Sequence, residues 1–190
     1  FMGGGTKLRE YSLYFWEILW GVFFLLGLRF DCIELLGNKG IHIIGNQYYR
    51  FFTGLLIHVN LFHTVINMCS LYWVSVFLHG QVDGWKLLLF STVTGTLTNI
   101  LFSFIYPDST SVGGSPVVFS LIGFIVILQF LRPDLPRFQT NTTYAAWIIG
   151  YGILGNLPVF SKNISTLVIH SIAFFIALVV GYLSIRFQIL

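Results

Sequence analysis

Residues 51–82 read FFTGLLIHVNLFHTVINMCSLYWVSVFLHGQV, with no Asp, Glu, Lys or Arg among them. A helix that crosses a bilayer needs about 20 mostly apolar residues, so the later part of this stretch holds one span, near 60–79. The span is not purely apolar. His58, His63 and Asn67 interrupt the stretch, and polar groups at bilayer depth are costly enough to suggest function by default.

The same reading extends outward to residues 87–107, 109–131, 138–161 and 163–185, all free of the four charged residue types. Residues 11–30 make a sixth segment, with Glu17 inside it and Arg29 near its end. Gly and Pro punctuate the connections, as in Gly80-Gln81-Val82-Asp83-Gly84 and Arg132-Pro133-Asp134-Leu135-Pro136-Arg137, which are turn-forming sequences. The expected fold class is therefore all-α, a polytopic membrane protein built as a six-transmembrane-helix bundle. Its helices fall near 11–30, 60–79, 86–106, 115–131, 144–159 and 165–186. Residues 1–10 read as an N-terminal cytoplasmic segment, in part a trimmed or engineered start, ahead of a single domain over 11–190. Composition agrees: of 190 residues 56% are apolar and 9% charged, against about 25% charged in a soluble domain.

Charge and cysteine exclude other classes. The net charge of +3 is spread over both ends and the loops, so no nucleic-acid partner is expected. Cys32 and Cys69 lack the spacing of a disulfide framework or a zinc site, and neither a metal nor any other cofactor is expected. Lys and Arg are modestly biased to the cytoplasmic side if Lys7, Arg9, Lys86, Arg132, Arg137 and Arg186 lie inside, with Lys39, Arg50, Lys162 and Arg29 outside. That places both termini in the cytoplasm, with the plasma membrane as the expected location. Residues 31–60 are too broken by Gly37, Gly40 and Gly45 to span, yet too apolar for a solvated loop. A lateral element in the outer half of the bilayer suits them.

On this topology the second, fourth and sixth spans run from outside to inside, so their N-terminal ends share one face. His63 and Asn67 lie four apart on one side of the second span. Ser115 opens the fourth, and His170 lies about two turns into the sixth. A hydroxyl, two imidazoles and a carboxamide thus converge at similar depth. Gly113 and Gly114 precede Ser115 in a turn that lets backbone approach a substrate, and a helix N-terminus aims free N–H groups at a developing oxyanion. Taken singly, Ser115 reads as an ordinary N-cap, and each His or Asn as an interhelical hydrogen bond. None of the seven acids (Glu10, Glu17, Asp31, Glu34, Asp83, Asp108 and Asp134) lies on these three spans. A Ser–His dyad is then the economical form of triad logic. His58 and His63 are five apart with no accompanying carboxylate, which is not a zinc-protease pattern.

The run from Tyr49-Arg50 through Thr53, His58, His63 and Asn67 resembles the first-loop and second-helix signature of the rhomboid intramembrane serine proteases. Gly113-Gly114-Ser115 resembles the family's Gly-x-Ser-Gly nucleophile motif, and His170 its sixth-helix histidine. The resemblance implies a six-helix bundle that cleaves transmembrane protein substrates within the lipid bilayer. It implies Ser115 as nucleophile, His170 as general base, and His63, Asn67 and the Ser115 amide as oxyanion stabilisers. It also implies His58 at the water-retaining end of the site, and the fifth helix with the loop before the sixth as the substrate gate. The chain departs from the pattern at Tyr49 for Trp, Pro116 for Gly, Phe119 for Tyr, and Ala173 and Ala177 for Gly. Two other functions fit the same composition. One is an inactive, client-binding relative, although such proteins typically lose the Ser or the His. The other is a small transporter, for which Thr92, Thr94, Thr96, Thr98 and Asn99 make the best case.

Overall fold

The computed structural model describes residues 12–157 and 164–190. Lys7, Arg9, Glu10 and Lys162 lie outside the described residues. So do the start of the first expected span and most of the expected gate loop. Among the described residues the order is α1 (Tyr14–Gly27), α2 (Cys32–Leu36), β1 (Asn38–Lys39), α3 (Arg50–Thr53), α4 (Leu61–Leu78) and α5 (Gly84–Ile105). There follow β2 (Thr110–Ser111), α6 (Ser115–Leu131), α7 (Thr143–Leu154) and α8 (Ile164–Arg186). The chain is mostly helical. Helices α4, α5 and α8 are long and apolar enough to cross a membrane, whereas α1, α6 and α7 are apolar but shorter.

Caps and breakers set the helix ends. Asn60 starts α4 by accepting from the His63 N–H at 2.8 Å, and Asp83 starts α5 by accepting from Trp85 N–H at 2.9 Å. Such caps satisfy N–H groups that the helix leaves unpaired. Helix α7 stops at Leu154, short of the expected 159, because Gly155 and Asn156 fold back in a turn. Helix α6 begins with Gly114 as N-cap and Ser115 already helical. The expectation that Ser115 itself caps this helix is therefore corrected: its hydroxyl caps nothing.

Large apolar side chains point both inward and outward. Trp16, Trp20, Leu71, Val74, Leu121 and Phe124 are buried, while Phe104, Phe130, Phe175 and Val179 stand exposed on the outer helix faces. A monomer in water rarely exposes so much contiguous apolar surface; lipid accommodates it. Ser and Thr lie inside. Thr92, Thr94 and Thr98 donate to carbonyls one turn back on α5, which satisfies their hydroxyls within the helix and lets neighbours pack closely. That leaves little of the polar pathway a transporter needs along α5.

Helix α6 packs more extensively on α8 than on any other element. A Cβ on Gly123 would lie 2.6 Å from the Phe174 carbonyl oxygen and 3.1 Å from Ala177 Cβ. Ala173 and Ala177 are completely buried. The contact requires glycine at 123 on α6 but only small size at 173 and 177 on α8, so the two alanines keep the helices close.

The segment 31–60 folds as a cap built around short elements. Strand β1 pairs antiparallel with β2, Asn38 opposite Ser111 and Lys39 opposite Thr110. Arg50 and Lys39 are buried, not solvated loop charges. Arg50 donates to the Glu34 and Gly37 carbonyls, and Lys39 to the Glu34 carboxylate at 2.6 Å. Asn99 of α5 donates to the Phe51 carbonyl at 2.8 Å, fastening this cap to the bundle.

Candidate active site

The segment leading into α6 is fixed by its backbone donors. Gly113 N–H donates to the Gly54 carbonyl at 3.1 Å, and Gly114 N–H donates to His58 Nε2 at 3.1 Å. Since His58 Nε2 accepts, its ring proton sits on Nδ1. His58 also packs edge-on against Trp20 and His63, at centroid distances of 5.4 and 5.0 Å. It therefore stands behind the turn and buttresses it.

Both glycines are required by geometry. Gly113 has φ +138°, a conformation that L side chains rarely adopt, and a Cβ there would lie 2.7 Å from the His63 ring. A Cβ on Gly114 would lie 2.1 Å from the Trp20 ring. With the Gly113 and Gly114 N–H groups spent on the cap, the Ser115 N–H is the open donor at the start of α6. Pro116 has none, and the next two N–H groups turn back to the Gly114 carbonyl.

Ser115 opens into a cavity of about 1060 Å³ lined also by His63, Asn67, Gly113, Tyr151 and His170. Five of the expected site residues, Ser115, His170, His63, Asn67 and Gly113, thus share one space. His58, Gly114 and Phe119 lie behind its wall. Phe119, one turn past Ser115, stacks on the His170 ring with centroids 4.0 Å apart and planes 14° apart, which holds the imidazole against α6. The hydrogen bond of His170 runs from Nδ1 to Asn156 Oδ1 at 2.9 Å. None joins it to Ser115 among the described residues. In ligand-free sites catalytic hydrogen bonds are often long and tighten only around a substrate.

Asn67 is more constrained than its position suggests. Its Nδ2 donates to the His63 carbonyl at 2.8 Å, and its Oδ1 accepts from Tyr151 O–H at 2.7 Å. The carboxamide orientation is therefore set, with one amide hydrogen left over. Trp147, one turn before Tyr151, donates from Nε1 to Ser70 Oγ at 3.1 Å. Tyr151, Trp147 and Asn156 are site residues that sequence reasoning missed. Each sits in or beside an apolar helix, where a single Tyr, Trp or terminal Asn is unremarkable, and no spacing links it to its partner.

Comparison with known proteins gives the family. Residues 45–187 match the Rhomboid domain family. The chain is 29% identical over 103 residues to RHOMBOID-like protein 7 of Arabidopsis thaliana, covering 52% of this chain and 32% of that protein. It is 27% identical over 101 residues to RHOMBOID-like protein 1 of the same plant, covering 52% and 26%. The matched regions thus span about a third and a quarter of those relatives.

Proposed function

The chain belongs to the rhomboid family, and on that premise we propose that it is an intramembrane serine endopeptidase acting on transmembrane protein segments. One observation carries the reading. Ser115, with a hydroxyl that caps nothing, opens into the same cavity as His170, His63 and Asn67.

Ser115 Oγ attacks the scissile carbonyl while His170 Nε2 takes its proton. The oxyanion that forms is met by the Ser115 N–H, His63 and the free hydrogen of the Asn67 amide. His170 then returns the proton to the leaving amine, and water, activated by the same imidazole, releases the acyl group. The chemistry uses this chain's own groups and needs no cofactor.

The six apolar helices are read as six spans with both termini cytoplasmic in a cell membrane. Helix α6 is 17 residues long, about 25 Å at 1.5 Å per residue, against a hydrocarbon core of about 30 Å. A helix that starts below the surface, at the bottom of a cavity, does not need the full thickness. Ser115 is then reached from within the bilayer, and the lipid bilayer and a substrate helix are its partners.

Labelling of the detergent-purified protein with a fluorophosphonate probe tests the reading. Covalent labelling of the parent, absent in Ser115→Ala, is the expected result. A parent that neither labels nor cleaves a transmembrane substrate would instead favour an inactive, client-binding protein.

A further inference from the structure

His170 is fixed in plane by Phe119, but a stacked ring does not decide which nitrogen carries the proton. Asn156 decides that. It sits just past α7, and its Nδ2 donates to the Gly152 carbonyl at 2.6 Å. A backbone carbonyl can only accept, so the NH₂ of this amide must face Gly152 and its oxygen must face His170. An amide oxygen also only accepts. The nitrogen 2.9 Å away, His170 Nδ1, must therefore carry the proton, which leaves the lone pair on Nε2.

We propose that Asn156 is a positioning residue that sets the orientation and tautomer of His170, extending the Ser115–His170 pair to Ser–His–Asn. The Gly152 carbonyl sets Asn156, Asn156 sets Nδ1–H, and Nε2 is left as the base. A carboxamide suits this place better than a carboxylate. His170 is buried, and an uncompensated charge beside it would carry a large desolvation cost. The effect on turnover rests on the protease reading above; the tautomer does not.

The experiment uses full-length protein with ring-¹⁵N histidine, in the parent, Asn156→Leu and Asn156→Asp, with His170→Ala to assign the resonance. The ring nitrogens are read by NMR, and kcat and KM are measured on a transmembrane substrate. The parent is expected to show a single Nδ1–H tautomer. Asn156→Leu should lose it, with kcat down about tenfold to a hundredfold, part of what a positioned general base contributes, and KM little changed. Asn156→Asp, as the neutral acid, can still donate to Gly152 and accept from Nδ1, and should restore the Nδ1 proton and part of kcat. An Nε2–H tautomer in the parent would overturn the proposal, even if Asn156→Leu failed to fold. So would an Asn156→Leu protein that keeps both the parent tautomer and the parent kcat. A parent inert to fluorophosphonate, whose Nδ1–H tautomer is nonetheless lost in Asn156→Leu, would sink the protease reading and uphold the role of Asn156.

Discussion

Two helix seams meet at the cavity, and they are built differently. The α6–α8 seam is closely fitted: Gly123 lies under the Phe174 carbonyl, and Gly181 under Phe124 and Ile127. The α4–α7 seam depends on a few separate contacts: Trp147 to Ser70, Tyr151 to Asn67, and the Phe77 ring against Tyr144 at 5.3 Å. The first seam carries Ser115 and His170. The second carries Asn67 on one side and only Tyr151 and Trp147 on the other. On the proposed function, a site built this way would keep nucleophile and base on the side that cannot part without losing its packing. Any opening for a substrate helix would then fall to the side bridged by hydrogen bonds. Such bonds between membrane helices average only about 0.6 kcal/mol each.

The largest effects are expected on the tight side. Ser115→Ala and His170→Ala should each reduce cleavage to background, a loss on the order of 10⁴ or more, with helical content and melting temperature unchanged. Cleavage retained by both variants would remove the dyad. On the loose side, the His63→Ala, Asn67→Ala double variant should lose turnover with little change in KM, by roughly 10²–10³ per donor. Parent-like turnover in that variant would show that the Ser115 N–H suffices and that the α4 side contributes no oxyanion donor.

Trp147→Phe isolates the hydrogen-bonded seam, because it removes the bond to Ser70 and keeps most of the ring. Stability should fall by about 0.6 kcal/mol. Labelling by a small fluorophosphonate should be unchanged, since the cavity already admits small molecules. Cleavage of a transmembrane substrate should rise up to a few-fold if this seam limits entry. Equal slowing of both readouts would mean that Trp147 shapes the site itself, and the contrast between the seams would lose its functional meaning.

The same contrast explains what could be read from sequence. Ser115, His63, Asn67 and His170 stand out because lipid makes each of them costly, and a cost of that kind is visible one residue at a time. Five of the six apolar helices were legible for a similar reason: charge is absent over whole windows, whereas the first was read despite Glu17 inside it. Pairings were not legible. Tyr151 meets Asn67 across 84 positions, a distance at which no periodicity operates. Arg50 and Lys39 look like loop charges in sequence, yet both are buried among carbonyls and a carboxylate that only the folded cap brings together. The end of α7 was misplaced by a few residues because an apolar run continues past Leu154, while the backbone turns at Gly155.

The smallest expected effect concerns Pro116, at the start of the tight seam. An N-cap Ser115 would take the extended angles that proline favours in the residue before it. Ser115 is instead the first helical residue, behind Gly114 at φ −76° and ψ −4°. Proline disfavours helical angles in the residue before it, so its ring works slightly against the Ser115 backbone. It forfeits no hydrogen bond, because the N–H at the second helical position has no partner within the helix. Replacing it with glycine therefore has two opposed consequences. Proline's bias against helical angles at Ser115 is removed, and the unfolded chain gains freedom worth about 0.4–1 kcal/mol. Pro116→Gly should remain active within about twofold, since neither Ser115 Oγ nor its N–H is moved by a change this small. Its melting temperature should be slightly lower, and Pro116→Ala should lie between it and the parent. Cleavage rate and thermal unfolding on the same preparations decide the matter. An inert parent whose activity appears only in Pro116→Gly would mean that the ring holds Ser115 away from productive geometry, and the cavity would then be a client-binding cleft on a rhomboid scaffold.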